Sequence, residues 1–123
     1  MKKRILSLLL VLLMVVSLVP TMAFADDTGV AVDRINFPDD AFRAYVSENC
    51  DTDDNGYLSD EEISRVEAIY AGGYGIASLE GIGYFTALQF LVCDNNQLIE
   101  LPELPSGLTT LDCEHNQLTE LPE

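Results

Sequence analysis

Residues 88–102 read LQFLVCDNNQLIELP, and residues 108–122 repeat the pattern as LTTLDCEHNQLTELP. Both copies place apolar residues, one cysteine and one asparagine at the same offsets, and the second copy starts 20 residues after the first. A degenerate copy starts at Val66 and has Tyr74 in the slot of the asparagine. A pattern that recurs at this interval predicts stacked units that share one core.

Residues 66–123 resemble the leucine-rich repeat family, in which each unit contributes one short strand to a parallel sheet. The resemblance implies an α/β fold, namely a short leucine-rich repeat solenoid of about 2.5 to 3 units with a mostly non-helical convex side. Pro102 and Pro105 support the prediction of a non-helical convex side, because proline disfavours a helix between the strands. Asn96 and Asn116 are expected to bond backbone groups of neighbouring units.

Alternation along the strands predicts which side chains face solvent. Successive strand residues point to opposite faces, so Leu91 and Cys93 are expected to face the core and their neighbours the concave side. Exposed aromatic and β-branched residues flanked by acids suit a protein or carbohydrate ligand; the alternative is that they are ordinary strand formers. The predicted concave face comprises Tyr70, Phe90, Val92, Asp94, Thr110, Asp112 and Glu114.

A second motif, DTDDNGYLSDEE at residues 51–62, places oxygen-bearing residues at the spacing of a calcium-binding loop. Calcium takes six to eight oxygen ligands, and the loop offers carboxylates, an amide oxygen, a hydroxyl and a backbone carbonyl around a sharp turn at Gly56. The alternative is an acidic, solvated turn without an ion. The predicted ligands of one Ca2+ ion are Asp51, Asp53, Asn55, Tyr57 (through its carbonyl), Ser59 and Glu62.

The loop resembles the EF-hand family, which implies a helix on each side of it. Pro38 at the first helical position and apolar residues at helical spacing predict an entering helix over residues 38–49. Residues 60–66 are long enough for a short exiting helix. Residues 37–65 are therefore predicted to be an EF-hand-like helix-loop-helix that caps the repeats. A dockerin-like calcium module is the rival, although dockerins carry two such loops and one is visible here.

The beginning of the chain has the pattern of a secretory signal peptide. Three basic residues precede an apolar segment over residues 5–19, and small residues suit cleavage after Ala25. We therefore predict a signal peptide over residues 1–25, a linker over residues 26–36, and a secreted or cell-surface protein without a membrane span after cleavage. The alternative is an uncleaved membrane anchor.

The net charge, the cysteines and the lack of a catalytic pattern exclude several classes of function. Cleavage after residue 25 leaves three arginines against 21 acidic residues, a formal charge of −18, which makes nucleic acid an unsuitable partner. Cys50, Cys93 and Cys113 form an odd set without a disulfide framework. No nucleophile has a base at a suitable spacing, and His115 is expected to be a solvent-facing loop residue. We therefore predict that the protein is not an enzyme.

A calcium hairpin followed directly by leucine-rich units resembles secreted bacterial leucine-rich repeat proteins. The resemblance implies an exported scaffold that recognises a protein or glycan through its concave face, with calcium in a structural role. The alternative is an N-terminal fragment of a larger surface adhesin or secreted enzyme. The repeats are expected to be truncated at the C-terminal end, where further units or homo-oligomerisation would cover the last strand.

Overall fold

The structure is a computed structural model that describes residues 29–121. The predicted signal peptide lies outside the described residues, so its cleavage stays a prediction. The described chain is a small α/β fold with two short helices, one 3-10 helix and five short strands. The elements are β1 (Val30–Ala31), α1 (Asp40–Asn49), β2 (Tyr57–Leu58), α2 (Asp60–Ser64), β3 (Ala68–Tyr70), a 3-10 helix (Ile82–Tyr84), β4 (Phe90–Val92) and β5 (Thr110–Asp112).

Strands β3, β4 and β5 form a parallel sheet in chain order, and each strand lies in one copy of the repeat. The register aligns equivalent positions, so that Ile69, Leu91 and Leu111 are neighbours across the sheet. Ile69 and Leu91 are fully buried, whereas Leu111 on the last strand is half-buried. Equivalent positions of the repeat copies, 22 residues apart between β3 and β4 and 20 residues apart between β4 and β5, therefore pair across the sheet as predicted.

The repeat asparagines bond backbone groups of the neighbouring unit, as predicted. The Asn96 side-chain nitrogen donates to the Ala71 carbonyl at 2.8 Å, and its oxygen accepts from the backbone N–H groups of Tyr74 (3.0 Å) and Ile76 (2.9 Å). Asn116 repeats the arrangement one unit later, with its oxygen accepting from the Leu98 N–H at 2.9 Å. These bonds pair buried backbone groups at the strand ends. A buried N–H or carbonyl group without a partner would lower the stability of the fold.

The connections between the strands carry no α-helix. The segment from residue 99 to 107 is irregular and ends in a turn, as its prolines predict. The earlier connection contains the 3-10 helix Ile82–Tyr84, preceded by Gly81 at φ 104°. A side chain on Gly81 would collide with the Phe37 ring and the Asn36 carbonyl, so this glycine lets Phe37 pack against the repeats.

The entering helix begins two residues later than the sequence predicts. It spans Asp40–Asn49, and Asp39 is its N-cap, with a side-chain oxygen that accepts from the Phe42 N–H at 2.9 Å. The prediction that Pro38 is the first helical residue is therefore wrong, because the Asp39 carboxylate satisfies a free helix N–H and fixes the start there. The exiting helix α2 ends at Ser64, before the predicted residue 66.

Strand β1 lies within the segment that was predicted to be a linker. Val30 pairs with Leu58 and Ala31 with Tyr57, so β1 and β2 form an antiparallel pair. The Val32 N–H also donates to the Gly56 carbonyl at 2.9 Å. The acidic loop is thereby attached to the chain that precedes α1. A two-residue strand has no periodicity of its own, so the sequence pattern did not indicate it.

The helices and the repeats share one hydrophobic core. Phe42 and Val46 of α1 and Leu58 of β2 are fully buried together with the repeat leucines. Phe37 contacts Phe42 edge-on and lies 6.3 Å from Phe85, measured between ring centroids. The helix-loop-helix segment therefore packs on the first repeat unit through aromatic side chains.

Candidate functional site

The acidic loop folds back on its first residue. Both carboxylate oxygens of Asp51 accept backbone hydrogen bonds, from the Asn55 N–H at 3.2 Å and the Gly56 N–H at 2.8 Å. Gly56 has φ 87° and Asp54 has φ 57°, left-handed conformations that glycine and aspartate tolerate better than most residues. The sharp turn predicted at Gly56 is therefore present, and it brings the two ends of the loop together.

Glu62 joins the end of the loop to its beginning. One carboxylate oxygen accepts from the Ser59 N–H at 2.9 Å, and the Glu62 N–H donates back to the Ser59 hydroxyl at 3.1 Å, which forms a capping box on α2. The other oxygen accepts from the Thr52 N–H at 2.7 Å, the Thr52 hydroxyl at 2.9 Å and the Asp53 N–H at 3.3 Å. Glu62 is thereby held with its carboxylate over the loop.

Three carboxylates converge at this point. Oxygens of Asp51, Asp53 and Glu62 all lie within 4.8 Å of one another. Asp51 and Glu62 are buried, and Asp53 is exposed. A group of this kind can hold a metal ion, because a cation offsets the repulsion between closely spaced negative oxygens.

The pKa values of Asp53 and Glu62 are shifted in opposite directions. Desolvation raises the pKa of Asp53, and its hydrogen bond with Asp51 and the nearby charge of Glu62 raise it further. Desolvation, the largest single effect on Glu62, also raises its pKa, but the hydrogen bonds from Ser59, Thr52 and Asp53 together lower it below its ordinary value. Glu62 is thus held as an anion, while the anionic form of Asp53 lacks comparable support.

The other predicted ligands lie in the same loop, and the side chains of Asn55 and Ser59 form hydrogen bonds within it. The Asn55 side-chain oxygen accepts from the Tyr57 N–H at 2.9 Å, and the Ser59 hydroxyl serves the capping box. Tyr57 lies in β2, beside the buried Leu58. Sequence reasoning missed Thr52, whose N–H and hydroxyl both bind Glu62, because the second position of such a loop has no required residue type.

The predicted concave face is aligned by the sheet register. One row across the sheet contains Tyr70, Val92 and Asp112, and the next contains Phe90 and Thr110. The exposed fractions are 63 % for Tyr70 and 41 % for Phe90, so these large side chains are available to a ligand. The structure therefore brings the strand members of the predicted face side by side.

Acidic residues follow the strands at one edge of this face. Asp94 is half-buried and accepts a hydrogen bond from the Asn95 side chain at 2.6 Å, and Glu114 is exposed. Tyr74, which the prediction omitted, is 49 % exposed and packs edge-on against Tyr45 with ring centroids 5.4 Å apart. Tyr74 aligns with the repeat asparagines Asn96 and Asn116, whose side chains point inward. The repeat pattern therefore predicts an inward side chain at this position and gives no sign of an exposed ring.

The cysteines have the properties of core residues. Burial raises the pKa of Cys50 to about 11, with a further contribution from the charge of Glu62, and burial raises the pKa of Cys93 to about 12. Cys113 is half-buried, and its pKa is also raised by burial. The thiolate is the reactive form, so a raised pKa makes each thiol a poor nucleophile at neutral pH. His115 is exposed in a turn at φ 56°.

Comparison with solved structures identifies the architecture. A crystal structure of an internalin from Listeria monocytogenes matches with a TM-score of 0.62 at 21 % sequence identity. This chain has a leucine-rich-repeat-like fold. The match covers 81 % of this chain and 29 % of the internalin, so this chain spans less than a third of that protein's length. No family model and no curated protein matches the sequence.

The part of the chain between residues 29 and 121 also has no helix with the length and apolar character that crossing a membrane requires. Its helices contain ten and five residues.

Proposed function

We propose that this protein is an exported, calcium-binding leucine-rich repeat scaffold that recognises a protein or a glycan through its concave face. Calcium has a structural role in this proposal, and residues 37–65 are an EF-hand-like cap on the repeats. The observation that carries the calcium assignment is the convergence of Asp51, Asp53 and Glu62 at the two ends of one loop.

Oxygen ligands favour calcium or magnesium over softer metals. Calcium fits better, because it accepts a bidentate glutamate and irregular coordination, whereas magnesium demands near-octahedral geometry and retains several waters. Glu62, with both oxygens turned toward the loop, is suited to the bidentate role, and Asn55, Tyr57 and Ser59 supply further oxygens. The role is structural because Leu58 and the β1–β2 pair tie the loop to the core.

Calorimetric titration of the purified protein with calcium, and separately with magnesium, tests the metal. We expect one calcium ion per chain and weaker magnesium binding. If free calcium stands at about 100 times the dissociation constant, binding adds about 2.7 kcal/mol to the free energy of unfolding. Equal melting temperatures with calcium and with a chelator would contradict the structural role.

The recognition role is supported by the exposed Tyr70 and Phe90 on the sheet, since large exposed aromatic side chains are enriched where proteins bind partners. Glycan and peptide arrays test it, with a Phe90→Ala, Val92→Ala variant as the comparison. Binding that the double substitution leaves unchanged would show that the ligand uses another surface. Culture fractionation and N-terminal sequencing of the mature protein test export and cleavage after Ala25.

The last repeat unit supports a second candidate, in which this scaffold is one part of a larger assembly. Leu88 and Cys93 are fully buried, whereas their counterparts Leu108 and Cys113 are half-buried. A further unit or a second copy would bury the exposed side of β5. Sedimentation analysis of residues 26–123 tests the second copy: a monomer at every concentration would contradict homo-oligomerisation.

A further inference from the structure

A groove of about 660 Å³ lies away from both the acidic loop and the predicted concave face. Ile35 contributes to its lining from the segment before α1, Tyr84 contributes from the 3-10 helix, and Pro102 and Pro105 contribute from the irregular connection between β4 and β5. Its volume is within the range of about 300–1,000 Å³ that is common for ligand sites. The groove therefore has room for several side chains of a bound peptide.

The lining segments that contain Ile35 and Tyr84 are fixed by local hydrogen bonds. The Asp33 carboxylate accepts from the backbone N–H groups of Ile35 at 3.1 Å and Asn36 at 3.0 Å. The Tyr84 hydroxyl donates to the Asn36 side-chain oxygen at 2.7 Å, and the Tyr84 ring lies 5.8 Å from the Phe37 ring, centroid to centroid. The backbone at Ile35 is thus held in place, and 87 % of the residue is exposed.

The lining segment that contains the two prolines is stiff for a different reason. Pro102 and Pro105 each fix the backbone φ angle and restrict the residue before them. A groove with fixed lining segments loses little conformational entropy when it binds a ligand. An exposed isoleucine on such a surface offers apolar area that a partner's apolar side chain can bury.

The charge of the lining selects the kind of partner. Glu80 and Glu103 line the groove, and none of its lining residues is a lysine or an arginine. A second copy of this chain would bring further acids to the same place, because acidic residues outnumber basic ones by 21 to 6. Like charges in contact oppose association, whereas a basic segment would complement the two carboxylates.

We propose that this groove binds an extended segment of another protein in which a lysine or arginine lies next to a large apolar residue. The apolar side chain contacts Ile35, Tyr84 and the two prolines, and the basic side chain reaches Glu80 or Glu103. This site is separate from the metal and from the predicted concave face, so it remains open to test if either of those assignments fails.

Short synthetic peptides test the proposal. One array sets a lysine or arginine among leucine, isoleucine, phenylalanine and glycine, and a matched array carries glutamine in place of each base. We expect saturable binding to members of the first array at physiological ionic strength and none to the second. The affinity of the best peptide is then measured by fluorescence anisotropy for the parent protein and its variants.

Two matched pairs of variants separate the groove from general attraction to an acidic protein. Ile35→Ser should lower the affinity about tenfold, whereas Leu121→Ser, at a position that is 57 % exposed outside the groove, should leave it unchanged. Glu80→Gln with Glu103→Gln should lower it similarly, and Glu48→Gln with Glu67→Gln, which removes the same charge elsewhere, should not. Circular dichroism confirms that each variant is folded.

Three results would overturn the proposal. The first is an array without a saturable binder. The second is an equal loss of affinity in both charge pairs, which would indicate bulk electrostatic attraction. The third is concentration-dependent self-association that Ile35→Ser abolishes, which would identify a second copy as the occupant. An affinity that Phe90→Ser leaves unchanged would support the groove against the predicted concave face.

Discussion

The hydroxyl oxygen of Tyr45, in the middle of α1, accepts a hydrogen bond from the backbone N–H of Tyr70 at 3.1 Å. Strand β3 is the first strand of the parallel sheet, and the next N–H, that of Ala71, already bonds the neighbouring strand through the Val92 carbonyl. The Tyr70 N–H points the other way, toward the open edge. The helix therefore supplies the partner that another strand would otherwise provide.

Removal of that hydroxyl should destabilise the protein. Tyr45→Phe leaves the Tyr70 N–H without its partner in a region where Tyr45 is only 7 % exposed. We expect the free energy of unfolding to fall by about 1–2 kcal/mol, measured by urea denaturation. Tyr70→Phe is the control, because its hydroxyl is on an exposed side chain, and it should change the stability by less than about 0.5 kcal/mol. Equal effects of the two substitutions would contradict the edge-capping role.

Asp39 connects the start of α1 to the turn after β3. One carboxylate oxygen caps the helix through Phe42, and the other accepts from the N–H groups of Ala77 at 2.9 Å and Ser78 at 3.2 Å. Asp39→Ala should therefore lower the free energy of unfolding by about 2 kcal/mol, which exceeds the loss of an ordinary helix cap.

The control for Asp39 is its neighbour Asp40, whose exposed carboxylate pairs with the half-buried Arg43 at 2.6 Å. Surface ion pairs contribute little, so Asp40→Ala should cost less than about 1 kcal/mol. Thermal denaturation in the presence of a chelator measures both variants without a contribution from metal. A comparable loss in Asp40→Ala would show that helix charge, rather than the bridge to the repeats, explains the Asp39 effect.

Glu62→Gln tests the proposed structural role of calcium. The difference in melting temperature between calcium and chelator should shrink to near zero, because the amide is a poor replacement for a bidentate carboxylate. The metal-free protein should also lose some stability, since Glu62 closes the loop through Thr52 and Ser59. Glu61→Gln is the control, because Glu61 pairs with Arg65 on the surface at 2.8 Å. This variant should keep the full difference in melting temperature between calcium and chelator.

The two repeat asparagines should differ in their contribution to stability. Asn96 is 8 % exposed and bonds Ala71, Tyr74 and Ile76, whereas Asn116 is half-buried. Asn96→Ala should lower the free energy of unfolding by about 3 kcal/mol or more, because it leaves several buried backbone groups unpaired. The same substitution at position 116 should cost about half as much. Urea denaturation of both variants measures the difference, and equal costs would contradict it.

Burial should make the cysteine thiols react slowly with alkylating reagents in the folded protein. The pKa of Cys93 is raised to about 12 and that of Cys50 to about 11, so both remain protonated in the folded protein at pH 8. An alkylating reagent should therefore label the denatured protein much faster, and Cys113, which is half-buried, should react first in the native state. Fast labelling of Cys93 in the native state would contradict its buried position.

The same pKa shifts predict an alkaline effect on stability. A thiol whose pKa is higher in the folded than in the unfolded state favours folding while both states are protonated. The stability it contributes should be lost between the ordinary thiol pKa of about 8.5 and the folded values of about 11 to 12. Replacement of Cys93 by alanine should reduce this pH dependence, as measured by urea denaturation between pH 8 and pH 11.

The repeat and the acidic loop could be predicted from the sequence because each depends on the spacing of residues that lie close together in the chain. The offsets between Leu88, Leu91, Cys93 and Asn96 recur one unit later, and stacking of identical units turns equal spacing into strand register. The order of residues 51–62 likewise specifies a turn and a set of oxygens, because every member lies within one short loop.

Contacts between distant residues could not be predicted in this way. The bonds from Asp39 to Ala77 and from Tyr45 to Tyr70 span 38 and 25 residues. Neither pair belongs to a repeat, so no spacing in the sequence indicates it. The start of α1 was misplaced for a related reason, because Pro38 and Asp39 both favour a helix start and the Asp39 carboxylate decides between them.

The sequence by itself therefore determined the parallel strand order and the acidic loop in which Asp51, Asp53 and Glu62 converge, since both follow from the spacing of residues along the chain. The tertiary structure alone decided how the helix closes the edge of β3, that β1 anchors the acidic loop, and where Ile35 and the prolines form a groove. The physical reason is that these features depend on the relative placement of segments far apart in sequence, which packing of the shared aromatic core establishes.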